Sequence, residues 1–411
     1  MEHKLVDHLF RHQYGKMVAI LIRVFGLSNI ETIEDAVQDT FIKAALQWRN
    51  QIPENPEAWL VKVAKNRTID LLRSSQVKRN RFQKISATTT IQLNDLFLDH
   101  EIEDSQLRMI FVACHPSLKP KEQIAFALKT ISGFSTKEIA AALLIKEETI
   151  KKRLSRARKT IIENNIQFDF PSAKAVHKRL DQVMKVIYLT FNEGFHSTNK
   201  TKLIRKDLCG EAIRLSKLLL KKEKFRSGNL YALFALMCFH ASRIESKTNT
   251  ANEIMSIKQQ DRSQWYFPLI RIGNDAMNKA VEYDGVSKYH YEAAIAAEHL
   301  KAKTFEDTDW NTILKWYTKL YQLQASAFTQ LNMAIVNLQL NQFETTQQLL
   351  TSISVEDLEQ RAYLYYGCYA EYYAKKNDAV LAISYLDKAI HKTPNTLEKD
   401  YLKKRKAELS M

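Results

Sequence analysis

The scarcity of helix breakers constrains this chain more than any other feature. Its 411 residues include 9 glycines and 7 prolines, and Leu, Ala, Lys and Ile are abundant. A chain with so few places to turn, rich in good helix formers, is expected to be all-α. A hydrophobic fraction of 45% supplies real cores and argues against wholesale disorder. The length predicts two or three domains.

Helical periodicity organises the chain into stretches. Leu5, Leu9, Met17, Ile20, Leu21 and Val24 recur at helical spacing, and a second helix is expected from Ile33 to Trp48. Pro53 and Pro56 punctuate the next connection, ahead of a strong helix from Glu57 to Arg73. Residues 76–104 change character. Ser, Thr, Gln and Asn dominate, and acidic residues gather at the end (Asp99, Glu101, Glu103, Asp104), which reads as a flexible linker. Helices resume over 105–165 and again from Pro171 onward, in an extension divided at about 325. Near its end Tyr366, Ala370, Tyr373, Ala382, Leu386, Ala389 and Pro394 fall at the spacing of one tetratricopeptide repeat. Ala334, Asn337 and Leu350 form a weaker copy one repeat earlier. Such units are helix pairs that stack to share a core, as in an α-solenoid.

The most informative local segment is 135–161. Ser135 and Glu138 form a capping box, so a helix starts there, with Ile139, Ala140 and Leu143 on its apolar face. Leu144-Ile145-Lys146 is a short break. A second helix follows from Glu147 through Lys159, with Ile150, Leu154, Ala157 and Ile161 as its buried stripe. Its opposite face carries Lys151, Lys152, Arg153, Arg156, Arg158 and Lys159. A short helix, a tight turn and a basic second helix describe a helix-turn-helix. Glu148, Thr149, Lys152 and Arg153 would reach base edges, with flanking basic residues on phosphates. The bland alternative is a helical hairpin with a solvated basic face. Lys146 stands where a Ser or Thr cap is usual, and Leu144 where a turn glycine is common.

Two further clusters qualify. The helix 57–73 interleaves core positions (Trp59, Leu60, Val63, Ala64, Ile69) with Lys62, Lys65, Asn66, Arg67, Asp70 and Arg73, and Lys78, Arg79 and Arg81 follow. Such a helix suits single-stranded nucleic acid. The preceding helix instead shows an acidic face, Glu34, Asp35, Gln38 and Asp39, beside Val37 and Phe41, which suggests protein docking. A net charge of +15 fits a polyanionic partner without naming one. Cys114, Cys209, Cys238 and Cys368 have neither disulfide nor zinc spacing and suit core positions in a reducing cytosol. No metal or cofactor is implied. The N-terminal residues lack a signal-peptide core, and apolar runs such as Leu230–Phe239 are too short to span a membrane.

Taken in order, these motifs resemble a known family. Glu34 through Phe41 resembles the polymerase-binding part of region 2 in sigma factors of the extracytoplasmic-function subfamily. Asn55-Pro56-Glu57-Ala58-Trp59-Leu60, Ala64-Lys65-Asn66-Arg67 and Ile69 through Arg73 look like its promoter-melting and minus-ten-reading part. Ser135 to Lys159 is similar to region 4, which reads the minus-thirty-five element. Segments such as Cys114-His115-Pro116, Asn192-Glu193-Gly194-Phe195 and Asp261-Arg262-Ser263-Gln264-Trp265 resemble a subgroup with a C-terminal helical extension of tetratricopeptide character. In that subgroup Leu144 is ordinary, whereas Lys151 and Lys152 are more basic than the usual pattern.

The resemblance implies region 2 over 1–75, the linker over 76–104, region 4 over 105–165, a helical extension over 171–325 and repeats over 326–411. It implies that Asp35, Gln38, Asp39 and Phe41 dock on core RNA polymerase. Asn66, Arg67, Asp70 and Arg73 would hold the unstacked minus-ten strand, and Thr149, Lys152, Arg153 and Arg156 would contact the minus-thirty-five duplex, with Glu148 and Lys151 counted beside them as DNA-binding residues. The extension would then regulate in cis, packing on the sigma regions or on polymerase. An enzymatic extension is the weaker expectation: Asn192, Glu193, His196, Asp261, Arg262, His299 and Asp309 are polar residues in apolar helices, without nucleophile elbow, metal spacing or phosphate loop. The residues also leave open a DNA-binding repeat protein that represses or scaffolds without polymerase.

Overall fold

The computed structural model describes residues 2–49, 51–77, 99–143, 145–195, 204–249, 251, 253–393 and 395–410. Among them no strand forms, only an isolated antiparallel bridge between Thr248 and Ile254. The all-α class is thus observed. The helices cluster into two units, residues 1–190 and 191–411.

The first unit is built around α1 (Glu2–Phe25). Val18, Ala19, Ile20, Leu21 and Ile22 are consecutive and all fully buried, so this stretch is enclosed on every side. Gly15 permits that enclosure: a Cβ there would lie 1.8 Å from the Ile131 carbonyl oxygen. Next comes α2 (Ile30–Gln47), which buries Ile33, Ala36, Val37, Phe41 and Ala44. Asn55 opens α3 (Pro56–Val77) by accepting the Ala58 N–H at 3.0 Å, and Pro56 occupies the first turn, where its missing N–H costs nothing. Trp59 is half-buried, edge-on to the buried Trp48 with ring centroids 5.4 Å apart.

The end of the expected linker is helical. Asp99, Glu101, Glu103 and Asp104 lie in the opening turns of α4 (Asp99–Ala113), where carboxylates complement the helix dipole, and Glu101 pairs with Arg23 of α1. Residues 78–98, the rest of that segment, lie outside the described residues, as do Leu144, His196 and Pro394. Then follow α5 (Pro120–Thr130), α6 (Thr136–Ala142) and α7 (Glu147–Glu163). The Ser135 hydroxyl accepts the Glu138 N–H at 3.1 Å and the Glu138 carboxylate accepts the Ser135 N–H at 2.8 Å, the reciprocal cap that the sequence predicts. The first part of α8 (Ala173–Phe195) belongs to this unit: Arg179 donates to the Phe111 carbonyl and Gln182 to Gln123 at 2.6 Å.

The second unit holds the last residues of α8 and α9 (Lys206–Lys221), α10 (Gly228–Ala241), α11 (Phe267–Ala280), α12 (Lys288–Lys301) and α13 (Trp310–Leu323). Leu230–Phe239 is the buried middle of α10, capped by Ser227. No described helix is long and apolar enough to cross a membrane. Four helices in two pairs come next: α14 (Ala327–Gln339) with α15 (Phe343–Thr351), and α16 (Ala362–Lys375) with α17 (Ala379–Lys392). Each pair turns on an asparagine with positive φ, Asn341 at 56° and Asn377 at 58°. Ala334, Asn337, Leu350, Ala370, Ala382, Leu386 and Ala389 are all buried. The last helix is α18 (Thr396–Leu409).

Three of the polar residues weighed for catalysis do structural work. Asp261 accepts from Ser263, Asp309 caps α13 through Thr312, and Arg262 donates to the carbonyls of His299 and Ala302. All four cysteines are buried, and burial pushes each thiol up to about 12, which keeps them unreactive.

Candidate nucleic-acid interface and docking face

Three surfaces of the first unit gather the residues singled out by sequence. The first is the exposed side of α7. Ile150, Leu154, Ala157 and Ile161 face the core, which turns Glu148, Lys151, Lys152 and Arg156 to solvent and leaves Thr149 and Arg153 half-buried. Thr149, Lys152, Arg153 and Arg156 line one groove together with Lys119, Pro120, Lys121 and Glu122 from the start of α5. Lys151 sits apart, 3.5 Å from Glu147, and Lys159 lies 3.6 Å from Glu163. Glu147 in turn accepts from the Thr136 hydroxyl at 2.8 Å and ties the two helices of the motif together. Lys146 heads α7 without a side-chain cap.

Lys119 and Lys121 were not among the sequence candidates. Pro120 between them, at the first turn of a helix, was the available signal. The groove therefore has basic residues on both walls, and two unlinked segments converge on it. Such a groove suits a duplex backbone.

Arg158 departs from the sequence reading. Its side chain is 20% exposed and pairs with Glu34, itself 4% exposed, and at 3.4 Å with Glu31. It adjoins the Leu154–Ala157–Ile161 stripe and so turns toward α2 instead of solvent. Burial drives the Glu34 carboxyl above its ordinary range, although the Arg158 guanidinium pulls the other way. Burial likewise opposes the Arg158 charge, but Glu34, Glu31 and Tyr14 together outweigh it and raise the guanidinium above its ordinary value.

The second surface is on α3. Lys62, Asn66, Arg67, Asp70 and Arg73 are all exposed and recur at three- and four-residue steps, so they share one face. The third is on α2, where Asp35, Gln38 and Asp39 lie along the outer side. Phe41 does not join them. It is 4% exposed and edge-on to Phe10 at 4.9 Å, because it continues the Ile33–Val37 stripe. The apolar residues of this outer face are instead Ile42 and Leu46, 55% and 58% exposed. Sequence reasoning missed both, although they follow Asp35 and Asp39 at helical spacing. The α2 and α3 faces touch: Arg67 donates from Nε and Nη2 to Asp39 Oδ2 at 2.9 and 2.8 Å. Among the described residues no group of His, Cys, Asp or Glu is placed to hold a metal.

Comparison with known proteins accounts for this arrangement. Residues 9–77 match the family described as sigma-70 region 2, and residues 108–161 match sigma-70 region 4. Residues 179–281 match a family described as of unknown function. An uncharacterized protein of Rhizobium meliloti is 32% identical over 392 residues, covering 93% of this chain and 90% of that protein. The ECF RNA polymerase sigma factor SigE of Mycolicibacterium smegmatis is 28% identical over 158 residues, 38% of this chain and 59% of that protein. The probable ECF RNA polymerase sigma factor SigI of Mycobacterium tuberculosis is 25% identical over 169 residues, 40% of this chain and 57% of that protein. These sigma factors are thus matched over less than two thirds of their own length. No solved structure matches the chain. The chain belongs to the extracytoplasmic-function subfamily of sigma factors, in the subgroup whose members carry a C-terminal helical extension.

Proposed function

We propose that this sigma factor binds core RNA polymerase through the outer face of α2 and directs it to promoters with two reading surfaces. Asp35, Gln38 and Asp39 supply charge for docking, and Ile42 and Leu46 supply apolar area. Asn66, Arg67, Asp70 and Arg73 on α3 hold the melted minus-ten strand. The groove of Thr149, Lys152, Arg153 and Arg156, with Lys119 and Lys121 opposite, takes the minus-thirty-five duplex. Glu148 and Lys151 flank it. The extension, whose helix pairs we read as tetratricopeptide-like, regulates the factor in cis.

The observation that carries the polymerase reading is the pair Ile42 and Leu46, exposed beside an acidic face. A DNA-binding repressor has no need of such a surface. Binding of core polymerase tests it, measured with Asp39→Lys and Leu46→Asp. Asp39→Lys also releases Arg67, so Leu46→Asp isolates the docking contribution. Each variant is expected to weaken binding at least tenfold while the fold is kept. Wild-type protein that fails to bind core polymerase would support the repressor reading instead.

A further inference from the structure

The second unit carries a chamber of about 410 Å³, open to solvent on one side, among α14, α16, α17 and α18. Its walls are largely apolar, with Ile335, Leu338, Leu386 and Leu402 among them. That is the size and character of a small-molecule site. Its charged lining is nearly all satisfied within the chain. Glu371 pairs with Arg405 at 3.2 Å. Glu398 accepts from the Tyr363 hydroxyl at 2.7 Å and the Thr393 hydroxyl at 3.0 Å. Lys247 is the exception. Its ammonium donates to the Phe195 carbonyl at 2.7 Å and stands 3.7 Å over the Phe195 ring, and among the described residues no carboxylate lies within 4 Å of it.

Gly367 is a second, independent sign. It lies within α16 on the chamber wall, where glycine costs helix stability. A Cβ at this position would meet nothing within 4 Å. Packing inside the chain therefore does not call for the missing side chain, whereas an occupant of the chamber would.

We propose that this chamber binds a small amphipathic carboxylic acid, with its hydrocarbon body against Leu338, Leu386 and Leu402 and its carboxylate on the Lys247 ammonium. An apolar body suits the walls, and an anionic head supplies the counter-charge that the chain does not. Burial, and then the neighbouring Arg243, lowers Lys247 to about 7; Arg361 acts in the same direction, and Cys209 and Glu398 oppose. An arriving carboxylate would therefore draw a proton onto Lys247 at pH 8. The inference concerns the second unit alone and does not rest on the transcription reading.

Calorimetric titration of the full chain with decanoate and with decanol tests the proposal. The expected result is saturable one-to-one binding of decanoate, at least tenfold tighter than decanol. At pH 8 its enthalpy should change with the ionisation enthalpy of the buffer, which reports proton uptake. Lys247→Met should abolish the preference and the proton uptake. Gly367→Leu should project into the chamber and weaken binding of both probes at least tenfold with no loss in melting temperature. The proposal is overturned by no decanoate binding, by equal affinity for the two probes, by a preference that survives Lys247→Met, or by binding that Gly367→Leu leaves unchanged.

Discussion

Arg158 shows how a residue's role is set by the far end of its side chain. Counted by charge it belongs with the basic face of α7, yet it is clasped by Glu34 in a nearly closed pocket. Removing one partner of such a pair leaves the other charged and desolvated. Arg158→Ala should therefore cost the full-length protein about 3–5 kcal/mol of stability in denaturant unfolding. Glu34→Gln combined with Arg158→Met should recover most of that loss, because no orphaned charge remains. An unchanged midpoint for Arg158→Ala would show that the pair is not formed.

Lys247 gives a pH signature at the same scale. Its folded value, about 7, lies below the ordinary 10.5. The unfolded chain thus holds the proton over a window where the folded chain has released it. This contribution is fully present above pH 10.5 and is lost as pH falls toward 7. Relative to Lys247→Met, wild-type stability should rise across that window with a slope of at most about 1.4 kcal/mol per pH unit. Melting curves of the two proteins between pH 7 and 10 provide the check, and parallel curves would contradict the assignment.

At the level of elements, the sequence was most informative where one period ruled. The buried stripe of α7, the capping box of α6 and the core run of α10 were legible because each depends on local spacing alone. Side chains at a stripe's edge were not. The sequence places Phe41 on the docking face, but it sits one turn along the buried stripe from Val37, while Ile42 and Leu46 take the outer face. Lys119 and Lys121 escaped notice because convergence of α5 on α7 is a tertiary fact. Composition assigns the acidic run at 99–104 to the linker, whereas it opens a helix, because carboxylates at a helix start and carboxylates in a solvated segment look alike in composition. The groove makes a graded prediction. Arg153→Ala should cost about 1–3 kcal/mol and relax preference at one base pair, whereas Lys121→Ala should weaken all sequences alike and lower the salt slope by about 1. Salt-dependent binding of polymerase holoenzyme to a set of single-base promoter variants separates the two. Equal effects on every variant from Arg153→Ala would make that residue a phosphate contact.

At the scale of the molecule, the first unit folds the α3 and α7 faces into one body. Arg158 reaches Glu34, Lys129 stands 5.3 Å over the Tyr14 ring, and Arg23 pairs with Glu101. A compact unit of its 190 residues has a radius of gyration of about 16 Å. Promoter elements about 25 base pairs apart lie roughly 85 Å apart along a duplex at 3.4 Å per pair. If the two faces read the two elements as proposed, simultaneous reading requires this unit to open, and the buried Glu34–Arg158 pair is a contact that opening would break. The regulatory role proposed for the extension belongs to the same scale, where a form ending at Thr190 can be compared with the full chain.

Transcription of genomic DNA from the source organism by its core polymerase, followed by mapping of RNA 5′ ends, tests the central claim most directly. The full chain should add a discrete set of start sites that core polymerase alone does not use, all preceded by one shared pair of motifs near minus ten and minus thirty-five. The form ending at Thr190 should use the same sites with altered output. Start sites identical to those of core polymerase alone, with the full chain bound or absent, would contradict the account.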